Sequence, residues 1–190
     1  FWISTGLLVP VIVVLLVLFG RALFLLGTFF GQYMNMRKLH ATVITQLESL
    51  TADNVDSLCT RLPARSSSFF LLYVHRLLEA RGSNAHIARL LSQYEIAADK
   101  DMGVSKTLTR LGPVLGLMGT LIPMGPALVG LSAGDIASMA YNMQVAFATT
   151  VVGLFSGVVG MVTLQVKKRW YMQELTQLEF LAELLTSNNR

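Results

Sequence analysis

The chain has 190 residues, 53% of them hydrophobic and only 14% charged, with a mean hydropathy of +0.57. That is too apolar for an ordinary soluble domain. The formal net charge of +4 is spread beside apolar runs and forms no basic face, which argues against nucleic-acid binding.

A membrane span needs about 20 apolar residues to cross roughly 30 Å of hydrocarbon. Three segments qualify, at about 3–30, 111–131 and 138–166. The chain opens FWISTGLLVPVIVVLLVLFG, with neither an initiating Met nor a basic leader. It therefore does not read as an intact signal peptide, and its numbering is expected to begin inside a longer sequence.

The first span is rich in Leu and Val, which suits a helix facing lipid over much of its surface. Pro10 is a candidate bend. Arg21 is the anomaly. At 1.5 Å per residue, residues 1–20 already reach about 30 Å, so Arg21 is read as snorkelling to an interface. Pairing with lipid phosphate or a neighbour is the other reading. The helix is expected to continue through 33–50, which lacks a breaker.

Residues 51–68 carry turn and cap chemistry, including Pro63 and a serine run. A short amphipathic helix is expected at 68–81, stopped by Gly82 and Ser83. Asn84 is the expected cap of a following helix that leads to the second span. This 37–106 region holds no phosphate-binding loop and no catalytic triad spacing, so an enzyme is not the expected reading. Cys59 is the only cysteine, and His40, His75 and His86 are scattered. No metal site or cofactor is expected.

The second span, within 107–131, carries Gly112 and Gly116 as a GxxxG pair, with Gly119 and Thr120 one turn further. The third, 138–166, carries Gly153 and Gly157, accompanied by Ser156 and Gly160. Small residues four apart let helix backbones approach closely where lipid supplies no hydrophobic force. Pro113, Pro123 and Pro126 each remove a backbone donor, and the freed carbonyls need partners such as the Thr120 hydroxyl or water. Thr120, Thr149 and Thr150 have two readings: bonds to their own helix carbonyls, or the lining of a polar path.

Between 111 and 166 the only Asp, Glu, His, Lys or Arg is Asp135, in the 132–137 loop. Arg37 and Lys38, Lys106 and Arg110, and Lys167, Lys168 and Arg169 flank the spans. The positive-inside rule then places 37–110 and 167–190 in the cytoplasm, with the N-terminus and the 132–137 loop outside. The tail 167–190 is expected to extend the third span as one helix. Its Leu175, Leu178, Leu181 and Leu185 stripe calls for a partner, most simply the same helix of a neighbouring subunit. Glu174, Gln177 and Glu183 are read as its polar positions.

The blocks LGPVLGLMGTLIPMG at 111–125 and AFATTVVGLFSGVVG at 146–160 resemble the proton-channel family that includes MotA, TolQ and ExbB. The resemblance covers the second and third spans well and the first by position only. It implies an all-α membrane protein of the inner membrane, with three transmembrane helices (the first within 1–36) and long cytoplasmic helical extensions. It further implies a homopentamer whose second and third spans surround a central pore. Inside would sit two copies of a single-span partner resembling ExbD, TolR or MotB, carrying a membrane aspartate. Thr120 and Thr150 match the family's pore threonines. One departure is evident: where relatives can place a glutamate five residues before the second threonine, this chain has Val145, beside Gln144. A relay needs a group that titrates. The implied function is a pore-forming motor subunit driven by ion motive force, with a non-conducting scaffold as the alternative.

Overall fold

The computed structural model describes residues 2–48, 69–80 and 83–187, with side chains described for 6–34, 69–80 and 83–186. Cys59, Arg61, Pro63, Arg65, Arg81 and Gly82 lie outside the described residues, as do the side chains of Arg37, Lys38 and His40. The described residues form four helices: α1 (Trp2–Glu48), α2 (Phe69–Glu79), α3 (Asn84–Ser132) and α4 (Ile136–Ser187). Three of them, α1, α3 and α4, are long and apolar enough to cross a membrane.

The chain divides into two compact units. The first comprises Phe1–Gln32 and Gly103–Val166; the second comprises Tyr33–Met102 and Lys167–Arg190. In the first, α1 buries Val11, Leu15, Leu18, Ala22 and Leu25, alternating steps of four and three that form one narrow seam. Leu18, Ala22 and Leu25 meet Leu108 of α3 and Val159 of α4, and Phe19 packs on Phe155 with ring centroids 5.8 Å apart. The other faces of α1 expose large apolar side chains, among them Leu16, Val17, Phe24 and Phe30. Arg21 is exposed, beside the fully buried Ala22.

A short turn joins α3 to α4, and its chemistry is local. Gly134 has φ of 75°, a conformation that costs a residue with a Cβ. The Gly134 N–H donates to Leu131 O at 3.1 Å and the Asp135 N–H to Gly130 O at 2.8 Å, the pair of bonds that ends a helix in a Schellman motif. Asp135 then starts α4, its Oδ1 accepting the Ser138 N–H at 3.0 Å. The single carboxylate between 111 and 166 is thus an N-cap.

The second unit is a helical bundle. Phe70, Leu71, Tyr73, Val74, Leu77 and Leu78 of α2 are buried with Ile87, Leu90, Tyr94 and Ala98 of α3 and Leu178, Leu181, Ala182 and Leu185 of α4. This corrects two sequence expectations. The leucine stripe of α4 finds its partner in α2 and α3 of the same chain, so no neighbouring subunit is needed to cover it. The cap of α3 is Ser83, not Asn84: the Ser83 carbonyl accepts the Ile87 N–H at 3.1 Å and its Oγ accepts the His86 N–H at 3.4 Å. Sequence alone could not choose between adjacent capping residues.

Polar side chains also join α3 and α4 within this unit. Lys167 is 5% exposed and Glu174 3%, so both of these ionisable side chains are buried. Lys167 Nζ donates to Asp101 Oδ2 at 2.7 Å, and so does the Tyr171 hydroxyl, also at 2.7 Å. Burial pushes the Asp101 carboxyl up, but these two hydrogen bonds and the Lys167 charge more than offset it and hold it below its usual range. A buried ammonium is tolerated only with such a partner.

Candidate functional site

The site is built on backbone contact between α3 and α4. A Cβ on Gly112 would lie 2.7 Å from Gly153 O and 2.7 Å from Gly157 N, and one on Gly153 would lie 2.6 Å from Gly116 Cα. A Cβ on Gly116 would meet Gly153 Cα at 3.3 Å, and one on Gly160 would meet Leu108 Cβ at 2.7 Å. Pro113 packs its ring on Gly157, with Cδ 2.8 Å from the Cβ position there. Gly112, Gly153, Gly157 and Gly160 therefore occupy places where the facing helix leaves no room for a side chain, and Gly116 one where it leaves little. Gly103 and Gly125 of the same helix carry no such demand: nothing lies within 4 Å of a Cβ position at either.

Close approach fixes where the threonines stand. Thr150 presents its carbonyl oxygen 3.5 Å and its Cα 3.6 Å from the Cβ position of Gly116, and Thr120 lies one turn beyond Gly116. Both threonines keep part of their surface exposed. The Thr120 hydroxyl donates to Leu117 O at 2.7 Å, and the Thr150 hydroxyl to Ala146 O at 2.9 Å. With the proton engaged, each oxygen keeps its lone pairs as an acceptor. The Thr120 hydroxyl does not serve a carbonyl freed by proline, which is a departure from the sequence expectation. All three prolines are nevertheless inside the unbroken α3.

Thr149 is different. It is 7% exposed, and its Oγ1 lies 2.6 Å from the Cβ position of Gly119. Its hydroxyl donates within α4, to Val145 O at 3.0 Å and Ala146 O at 2.9 Å. Thr149 fills the notch that Gly119 leaves and is covered by its own chain. Of the two readings of Thr149, bonds to its own helix carbonyls are the ones present.

Lower in the same unit, Thr163 and Ser105 hydrogen-bond across the helices at 3.2 Å, both fully enclosed. Sequence reasoning passed over this pair, although both residues lie on the glycine-bearing seam at steps of three or four. Among the described residues no group of three His, Cys, Asp or Glu is placed to hold a metal ion.

A family model described as the MotA/TolQ/ExbB proton channel family matches residues 65–180. That is over half of the chain and includes all of α3 and α4 as far as Phe180. The chain belongs to this family. With three long apolar helices, this member of the proton channel family is a multi-pass membrane protein. No curated protein matches the chain. In this family member the α3–α4 glycine contact and the two partly exposed threonines form the candidate ion-pathway element.

Proposed function

We propose that the chain is the pore-forming subunit of a rotary motor driven by ion motive force, most simply that of protons, and that it powers a cell-envelope process. Five copies surround a central pore in the inner membrane, with α3 and α4 facing inward at Thr120 and Thr150. Two copies of a single-span protein resembling ExbD, TolR or MotB occupy that pore. The N-terminus is outside, and residues 37–110 and 167–190 are cytoplasmic, in keeping with the basic residues that flank the spans.

One observation carries this reading. Two threonines stand partly exposed beside a glycine-lined helix contact, while the only Asp, Glu, His, Lys or Arg between 111 and 166 is Asp135, committed to capping α4. Threonine oxygens can accept hydrogen bonds along a path but cannot carry a charge by titration. The titrating acid must come from another chain. A membrane aspartate on the partner, passing each subunit's threonines in turn, completes the chemistry.

Val145, standing where relatives can place a glutamate, favours a second reading: a pentamer that binds a partner helix and conducts nothing. The assembly itself is tested by affinity purification in mild detergent followed by native mass spectrometry. The expected particle holds five copies of this chain and two of a one-span protein with a membrane aspartate. A particle of this chain alone, with no one-span protein retained, would overturn the proposed composition.

A further inference from the structure

We infer that Glu174 is a proton-binding site of the helical bundle formed by α2, the start of α3 and the end of α4, neutral when the bundle is packed and loosening it when ionised. The proton site does not depend on the motor reading; its cytoplasmic exposure rests on the orientation proposed above.

Among the described residues, the Glu174 carboxyl has one hydrogen-bond partner, and it is neutral. Glu174 is 3% exposed, and its Oε2 accepts a hydrogen bond from the Tyr94 hydroxyl across the α3–α4 contact. The surroundings are aromatic. Tyr94 lies 5.2 Å from Phe69, 5.3 Å from Tyr73 and 6.4 Å from Tyr171, centroid to centroid. Each packed element contributes its ionisable groups. From α3 come Tyr94 and Asp101, and from α4 come Lys167 and Tyr171. From α2 come Tyr73 and His75, whose Nε2 is buried without a hydrogen-bond partner. The one cation among these that lies on the α4 seam, Lys167, is taken by Asp101 at 2.7 Å. It stands two turns from Glu174, about 10 Å along the helix.

A buried carboxylate with a single donor and no cation is costly, so the group takes up a proton instead. Burial raises the Glu174 carboxyl, and the Tyr94 hydrogen bond pulls it back only in part, leaving it at about 7. An unfolded glutamate titrates at 4.5, so the packed bundle binds more protons than the unfolded chain between those values. Its stability is therefore full below about 4.5, falls as pH rises, and has lost this contribution above about 7. Neutral Gln at this position keeps the acceptor for Tyr94 and imitates the protonated state.

Infrared difference spectroscopy of the full chain in detergent reads the carboxylic-acid C=O band directly, and hydrogen exchange of α2 and residues 84–102 reads the packing. The expected result is a band that disappears with a midpoint near 7 and is missing in Glu174→Gln. Tyr94→Phe removes the only donor to the ionised form among the described residues, so its midpoint rises by about one unit. Exchange of wild-type bundle amides accelerates above that midpoint beyond the intrinsic pH effect, and Glu174→Gln abolishes the extra acceleration, which separates Glu174 from His75. A band that titrates in the ordinary carboxyl range, or one unmoved by Tyr94→Phe, overturns the proposal. So does the same excess exchange in Glu174→Gln.

Discussion

Replacing Gly153 by alanine destabilises the α3–α4 hairpin by about 1–3 kcal/mol, the usual cost of forcing atoms into a filled contact. The new methyl group would sit 2.6 Å from Gly116 Cα, 2.7 Å from Gly112 O and 2.9 Å from Gly116 N. All three are backbone atoms, so no rotamer change can relieve the clash. The helices must separate, and dispersion contacts along the whole seam weaken together. Alanine at Gly103 or Gly125 meets nothing within 4 Å and should be neutral or stabilise by up to about 1 kcal/mol, because alanine favours the helix. Thermal unfolding of the three variants in one detergent checks the contrast. Equal effects at all three positions would mean that the close α3–α4 approach does not hold the hairpin together.

The second large effect concerns ion movement. Changing Thr120 and Thr150 together to valine should lower proton flux through the assembled complex by about tenfold or more. Valine keeps the shape and removes an acceptor worth about 1–1.5 kcal/mol, and 1.4 kcal/mol in a barrier is roughly tenfold in rate. Stability should hardly change, because both hydroxyls bond only to carbonyls of their own helix turn and such bonds support a helix weakly. Thr149→Val is the internal comparison. Its hydroxyl is enclosed at Gly119, so that variant should keep most of the flux. A Thr149 effect larger than that of the Thr120/Thr150 pair would show that the path runs through the α3–α4 contact itself.

These contrasts bear on what the amino-acid sequence reveals. Three long apolar helices are readable because span length and composition are local properties, and GxxxG spacing marks Gly112, Gly116, Gly153 and Gly157 for the same reason. Gly119 and Thr149 show the limit. Which threonine turns towards the facing helix depends on a rotation of about 100° per residue, and adjacent Thr149 and Thr150 are indistinguishable until α3 is placed.

The leucines of α4 show a second limit. Periodicity says that Leu178, Leu181 and Leu185 need cover, but not whether it comes from α2 and α3 or from another copy. Spacing alone reads Glu174 as a polar position among leucines. It nevertheless falls at the same steps of three and four as Lys167, Tyr171, Leu178 and Leu181, and that register was the available signal. A charged residue in register with a core stripe deserves to be read as buried until its partner is known.

The central claim is that this chain supplies the path and another chain supplies the proton carrier. Proton flux into liposomes measures it most directly, with the chain alone, with its one-span partner, and with the partner's membrane aspartate changed to asparagine. Flux that requires the partner and is lost in the asparagine variant is the predicted result. Undiminished flux in the asparagine variant, or the same flux from the chain alone, would contradict the account.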